Sequence, residues 1–163
     1  RGDWDLSQHQ KFSGQDMSYF NEETKEKYIP WVIETSGGVD RAMLFFLIDA
    51  YHEEKDRIVL KLNSKLAPYK AAVFPLLRNK PELVEKAREI YQMLKTNDLA
   101  VAWDDRGNIG KRYYSQDEIG TPYCITIDFN TLKDDAVTVR DRDTMKQERI
   151  KIENLLNYLN AKL

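Results

Sequence analysis

Ala71-Ala72-Val73-Phe74-Pro75-Leu76-Leu77 contains no charge and no hydrogen-bonding side chain. A helix packed on a core normally keeps a polar face, so a short unbroken apolar run reads as a strand buried on both sides. Such a strand belongs to a parallel sheet covered by helices, and the next residues supply the cover. Lys80–Lys95 is amphipathic, with Pro81 in the first turn, where proline is tolerated. Leu83, Ala87, Ile90, Tyr91 and Leu94 recur at spacings of three and four. Leu99–Trp103 is a second short strand, closed by Asp104-Asp105. The three segments form a β-α-β unit, which crosses right-handed almost without exception.

The rest of this half follows the same logic. A short helix is expected from about Gly110 to Ile119, stopped by Gly120 with Pro122 beyond. Tyr123–Phe129 and Ala136–Asp141 alternate with period two and read as a hairpin. Gln147–Leu163 is expected as a last amphipathic helix, with Ile150, Ile152, Leu155, Leu156 and Leu159 turned inward. From residue 70 on, the chain is therefore expected to be a compact α/β domain.

The first part is patterned differently. Residues 1–27 are polar and aperiodic, and the charged stretch Asn21–Lys27 suggests one or two helical turns. Tyr28–Ile33 is extended, β-branched and aromatic. Val39–Glu54 reads as a helix whose start is apolar on most sides, and hence as a buried one. Arg57–Leu62 alternates as a half-buried strand. Asn63–Pro68 carries turn chemistry, placing a domain boundary near Leu66–Tyr69.

Composition narrows the class. Apolar residues make up 42% of 163, enough for a real core. No run is long enough to cross a bilayer. Cys124 is the single cysteine, which excludes an internal disulfide and fits a reducing, cytoplasmic compartment. The net charge of −2 announces no general affinity for nucleic acid. It is unevenly split: nine Lys/Arg against twelve Asp/Glu in residues 1–69, and sixteen against fifteen beyond. The opening Arg1-Gly2-Asp3 has no initiator Met and starts in mid-pattern, as expected of a piece of something longer.

Two clusters carry candidate chemistry. In Glu34-Thr35-Ser36-Gly37-Gly38-Val39-Asp40-Arg41, a carboxylate at a strand end is followed by a glycine turn and an arginine that opens a helix. Paired glycines let backbone approach a ligand, a helix N-terminus attracts an anion, and the Arg fork suits phosphate. On spacing alone, an ordinary strand–turn–helix connection is the stronger reading. The second cluster sets cations beside aromatics in Lys111, Arg112, Tyr113 and Tyr114, with Arg140 and Arg142 alternating with Asp141 and Asp143. Charge that tracks a backbone beside rings that stack on bases is how single-stranded RNA is held. Core packing of the tyrosines, with Arg–Asp pairing, accounts for the same residues equally well. Asp117 and Glu118 would orient these basic groups. Gly107-x-x-Gly110-Lys111 lacks the spacing of a phosphate-binding loop, and no Gly-x-Gly-x-x-Gly follows the first strand. His9 and His52 have no triad or metal partners. No residue is assigned as a catalytic group or a metal ligand.

Tyr28–Arg41 resembles the third signature motif of class II aminoacyl-tRNA synthetases, in the form found in the glycyl-tRNA synthetases. Arg1–His9 resembles the segment before that motif, and Val59–Leu62 with Leu66-Ala67-Pro68 the exit from the catalytic core. Gly110–Tyr113, Asp117–Tyr123 and Val137–Met145 resemble the C-terminal anticodon-binding domain. The resemblance implies that residues 1–66 are the end of a class II catalytic core. Residues 67–163 would then be the anticodon-binding domain, a mixed, mostly parallel sheet of about five strands flanked by helices. It implies that Glu34, Ser36, Gly37 and Gly38 bind glycine. It likewise implies that Gly38, Val39, Asp40 and Arg41 lie beside ATP, which arrives with Mg²⁺. The anticodon stem-loop of tRNA(Gly) would meet Lys111, Arg112, Tyr113, Tyr114, Arg140 and Arg142. The first two class II motifs are absent, so this chain alone is expected not to activate glycine. The full-length protein is expected to be a homodimer without a membrane anchor. The alternative is a non-catalytic accessory protein reusing the anticodon-binding domain.

Overall fold

The computed structural model describes residues 1–163, which form two compact units, Arg1–Ala42 and Met43–Leu163. In the first, α1 (Trp4–Ser13) ends on Gly14 in the left-handed conformation and has no buried residue. β1 (Tyr19–Phe20) pairs antiparallel with β2 (Lys27–Tyr28). The Asn21–Lys27 stretch is therefore a hairpin turn and not helical turns. Asn21 Oδ1 accepts from the backbone N–H groups of Glu23 and Thr24, and this local bond outcompetes a helix. Of the expected extended run Tyr28–Ile33, only Tyr28 joins a ladder. Residues 29–38 lack a neighbouring strand and are irregular.

α2 covers Val39–Ala50. It stops earlier than its periodicity suggests because Tyr51, His52 and Glu53 pair with Leu60, Val59 and Ile58. These make β3 (Tyr51–Glu53) and β4 (Ile58–Leu60), an antiparallel hairpin. The expectation that α2 is buried fails. Phe45 is 62% exposed and Ile48 63%, and only Ala50 is buried, because no element of this chain covers the helix.

The remaining elements are β5 (Ala71–Pro75), α3 (Pro81–Thr96), β6 (Val101–Trp103) and α4 (Ile109–Ile119). They are followed by β7 (Tyr123–Ile127), α5 (Thr131–Asp134), β8 (Ala136–Asp141), β9 (Gln147–Lys151) and α6 (Ile152–Asn160). The strand order is β6-β5-β7-β8-β9. β5 is parallel to both neighbours, while β8 and β9 run antiparallel, so the sheet is mixed. Gln147–Lys151 departs from the helix that its pattern predicts and pairs along β8, from Ala136↔Lys151 to Arg140↔Gln147. The edge of β8 offers a row of backbone partners, and that tertiary opportunity overrides a helical periodicity.

Alternation along β5 divides the core. Ala71 and Val73 join Ile125, Ile127, Val137 and Val139 against α3 and α6, where Leu83, Ile90, Leu94, Leu155 and Leu159 are buried. Each such aliphatic side chain contributes about 1.5–3 kcal/mol when fully buried. Ala72, Phe74 and Cys124 face the other way, onto Ile109 and Tyr113 of α4. α4 is delimited by local chemistry. Asn108 Oδ1 accepts from Lys111 N–H at 2.9 Å, and Gly120 at φ +87° ends the helix.

Candidate nucleic-acid interface

The parallel strands β5, β6 and β7 deliver three connections to one end of the sheet: Leu76–Lys80, Asp104–Asn108 and Asp128–Asn130. The crevice outside the carboxyl ends of parallel strands is where open α/β sheets take ligands. A hollow of about 580 Å³ opens there, lined by Leu76, Leu77, Arg78, Asn79, Gly107, Asn108, Ile109 and Arg112. Arg78, Lys80, Arg106 and Lys111 are exposed on these connections and on the first turn of α4, and Phe129, after β7, is 42% exposed. This end of the sheet therefore offers exposed cations, an apolar floor and an exposed ring.

Arg112 builds the wall of this hollow and is only 2% exposed. Its guanidinium donates to the carbonyls of Pro75 (2.6 Å), Arg106 (3.0 Å), Asp105 (3.1 Å) and Gly107 (3.0 Å). It ties the end of β5 to the loop before α4. Burial lowers its pKa, and the nearby Asp104 and Asp105 work against that shift. Asp104 Oδ1 accepts from the backbone N–H (2.9 Å) and Nε (3.1 Å) of Arg106. Burial, the largest influence on Asp104, would raise its pKa, but the Arg106 bonds outweigh it and hold the carboxyl low.

The other sequence candidates divide between surface and interior. Lys111 and Tyr114 are exposed. Tyr114 sits beside the turn of the β3–β4 hairpin, where with Glu118 and residues 53–58 it lines a hollow of about 480 Å³. Tyr113 is half-buried, edge-on to Phe74, with its hydroxyl 2.7 Å from Thr126 Oγ1. Burial, first of its influences, raises its pKa.

Arg140 and Arg142 are each 4% exposed. Arg140 donates to both oxygens of Asp117, at 2.8 and 3.0 Å, and its guanidinium lies 4.9 Å from the centre of the Tyr113 ring. Arg142 donates to the carbonyls of Gly120 (2.8 Å) and Leu62 (3.0 Å) and to the carboxylate of Asp143. Arg112, Arg140 and Arg142 thus spend their donors inside the protein and offer no cation at the surface. This corrects the expectation that they face a ligand: each side chain is taken up by carbonyls or carboxylates that folding brings to it.

The sequence patterns do not single out Arg78, Lys80, Arg106 and Phe129, which the fold gathers at this end of the sheet. The available signal was topological. Arg78-Asn79-Lys80 directly follows the apolar run that reads as a doubly buried parallel strand, and the carboxyl ends of such strands are where open α/β sheets take ligands.

The first cluster is open. Glu34, Ser36, Gly37 and Gly38 lie on the irregular segment before α2, and Val39, Asp40 and Arg41 form its first turn. All seven are exposed. Glu34 and Ser36, with Arg1, Val32 and Ile33, line a hollow of about 360 Å³. A Cβ at Gly37 would meet open space, so the backbone there stays approachable. No group of three or more His, Cys, Asp or Glu is arranged to hold a metal, and no helix is long and apolar enough to cross a membrane.

Known proteins agree with this architecture. A family model described as an anticodon binding domain matches residues 70–162. The glycine–tRNA ligase of Clostridium beijerinckii is 54% identical over 168 residues, taking in all of this chain and 35% of that protein. The glycine–tRNA ligase of Streptomyces coelicolor is 52% identical over 172 residues, covering 37% of its length, and that of Borreliella burgdorferi 53% over 170 residues, covering 38%. The chain spans little more than a third of the length of these relatives. Among solved structures, the RNA binding domain of threonyl-tRNA synthetase from Cryptosporidium parvum Iowa II matches with a TM-score of 0.57 and 26% identity, over 63% of this chain and 25% of that one. The family model covers more than half of the residues, including the whole mixed sheet, and the chain belongs to the anticodon-binding domain family of tRNA synthetases.

Proposed function

We propose that this chain is the anticodon-binding part of a glycine–tRNA ligase, joined to the end of its catalytic core, with the division at residues 66/67. The observation that carries the reading is the cleft at the carboxyl ends of β5 and β6. Exposed Arg78 lines it over the apolar Leu76, Leu77 and Ile109, and exposed Lys80, Arg106 and Lys111 stand on the flanking connections and the first turn of α4. Cations there would track phosphates while a splayed base enters the hollow, and Phe129 offers a stacking face. Tyr114 would extend the surface along α4.

In the whole enzyme, Glu34 would accept from the glycine ammonium, with Ser36, Gly37 and Gly38 shaping the pocket. Arg41 would donate to the phosphates of ATP, delivered as its Mg²⁺ complex, beside Gly38, Val39 and Asp40. A glycine carboxylate oxygen bonds to the α-phosphorus as the bond to pyrophosphate breaks. The glycyl group then passes to the 3′-terminal hydroxyl of tRNA(Gly), releasing AMP. Such a step relies on positioning and charge neutralisation, which an arginine and a glycine turn supply. Glu34 and Arg41 face solvent here, so this chain by itself is not expected to form the adenylate. The exposed apolar side of α2 fits a helix that packs within a larger catalytic core. Cytoplasmic location and homodimerisation of the whole enzyme are carried over from the family resemblance.

The test is binding of the chain to a tRNA(Gly) anticodon stem-loop at several salt concentrations. Affinity should fall with salt, and replacing the anticodon bases should weaken it. Equal binding of an unrelated stem-loop would sink the assignment.

A further inference from the structure

The β3–β4 hairpin is fastened to the end of α4 remote from the RNA cleft. Asp117, near that end, has no exposed surface. Arg57, in the hairpin turn, donates through Nη1 to Asp117 Oδ2 at 2.8 Å and to the carbonyl of Arg142 at 2.8 Å. Its Nε donates to Glu54. Arg140 of β8 takes the same carboxylate in a two-pronged grip. One buried carboxylate is therefore shared between a guanidinium from the hairpin and one from the sheet.

A second, independent feature lies one turn on. Gly120 has φ +87°, and a Cβ placed there would stand 2.8 Å from the carbonyl oxygen of Leu60 at the end of β4. Arg142 bonds the carbonyls of both Gly120 and Leu62, joining the cap of α4 to the chain leaving β4. Undocking the hairpin would take one of its two guanidinium partners from the buried Asp117 carboxylate and a donor from the Arg142 carbonyl, so detachment is disfavoured.

We propose that Asp117 is a positioning residue that locks the β3–β4 hairpin to α4, so that RNA held at the N-terminal end of α4 tightens the hairpin at its other end. The response to RNA rests on the cleft reading above. The lock itself does not. An eleven-residue helix carries a displacement over about 15 Å as one rigid element.

Hydrogen exchange by mass spectrometry on the 163-residue chain, with and without the anticodon stem-loop, tests this. Arg57→Met removes the hairpin's donor and leaves the Asp117–Arg140 pair in place; unchanged exchange in β5 and β7 verifies that the sheet is kept. In the wild type, RNA should slow exchange both at residues 107–111 and at 58–62. In Arg57→Met without RNA, residues 58–62 should exchange about tenfold faster, because docking no longer protects them. RNA should still protect residues 107–111 of the variant without reaching the hairpin. Arg57→Lys, which keeps a cation but loses the fork, should fall between. Wild-type protection of 58–62 in Arg57→Met overturns the lock. Protection of 107–111 with no response at 58–62 in the wild type overturns the coupling. If RNA protects neither segment, the cleft reading and the coupling both fall, and the RNA-free comparison still decides the lock.

Discussion

Replacing Arg112 by alanine removes four donated hydrogen bonds at once, and the structure says how they divide. The Pro75 carbonyl at 2.6 Å is a buried acceptor, whereas Asp105, Arg106 and Gly107 accept at part-buried positions that water can reach. A bond from a charged donor contributes about 1.5–3 kcal/mol net, and the buried carbonyl bears the full loss. The three loop carbonyls regain most of theirs from water and add about 1 kcal/mol together. Truncation also relieves the desolvation that lowers the Arg112 pKa. The balance is a destabilisation of about 3 kcal/mol, or roughly 1.5 M in the urea midpoint at a slope of about 2 kcal/mol/M. Because Arg112 presents no charge to RNA, the slope of log affinity against log salt should stay at the wild-type value, even though affinity drops as the loop loosens. Lys111→Ala should do the reverse: near-native stability, with the slope reduced by about 0.7–0.9. The assays are urea unfolding followed by tryptophan fluorescence, and stem-loop titration at four salt concentrations. The reasoning fails if Arg112→Ala costs under about 1 kcal/mol and reduces the salt slope as Lys111→Ala does, because Arg112 would then be a surface cation.

Three further outcomes follow from the same geometry. Gly120→Ala should cost about 2–4 kcal/mol, from positive φ and the Leu60 carbonyl, whereas Gly110→Ala, with its nearest neighbour at 3.6 Å, should be neutral or slightly stabilising; equal melting temperatures would contradict this. Acid should destabilise the fold in a defined window. Glu54, bonded by Arg57 and then Lys61, is held down to about 2 from an ordinary 4.5, and Asp128 and Asp141 are also depressed. A group with a depressed folded pKa contributes fully above its unfolded value, so stability should be level above about pH 5 and decline toward pH 2, with a flat thermal midpoint over that range refuting it. Cys124 is 1% exposed, and burial raises its thiol pKa, so a thiol reagent should label it at least about a thousandfold more slowly in the native protein than in urea.

The features legible in the sequence are those decided within a few residues. The apolar run of β5, the three-four spacing of α3, and the Asn108, Gly120 and Pro122 signals around α4 each act locally, and the elements stand within a residue or two of where the pattern puts them. The α/β class follows from them, because a doubly buried strand needs helices on both faces. Three things required the tertiary structure. Gln147–Lys151 has a helix's periodicity and becomes a strand only because β8 presents an open edge. α2 reads as buried and is bare, since burial depends on what lies opposite and a sequence names no neighbour. Most telling are the arginines. An Arg beside a Tyr looks the same whether it faces RNA or a carbonyl, and the partners that decide the matter lie 37 residues away for Arg112 and Pro75, and 80 for Arg142 and Leu62. Hydrophobic period and capping are properties of the chain. The satisfaction of a buried charge is a property of the fold, because its acceptors come together only when the chain is packed.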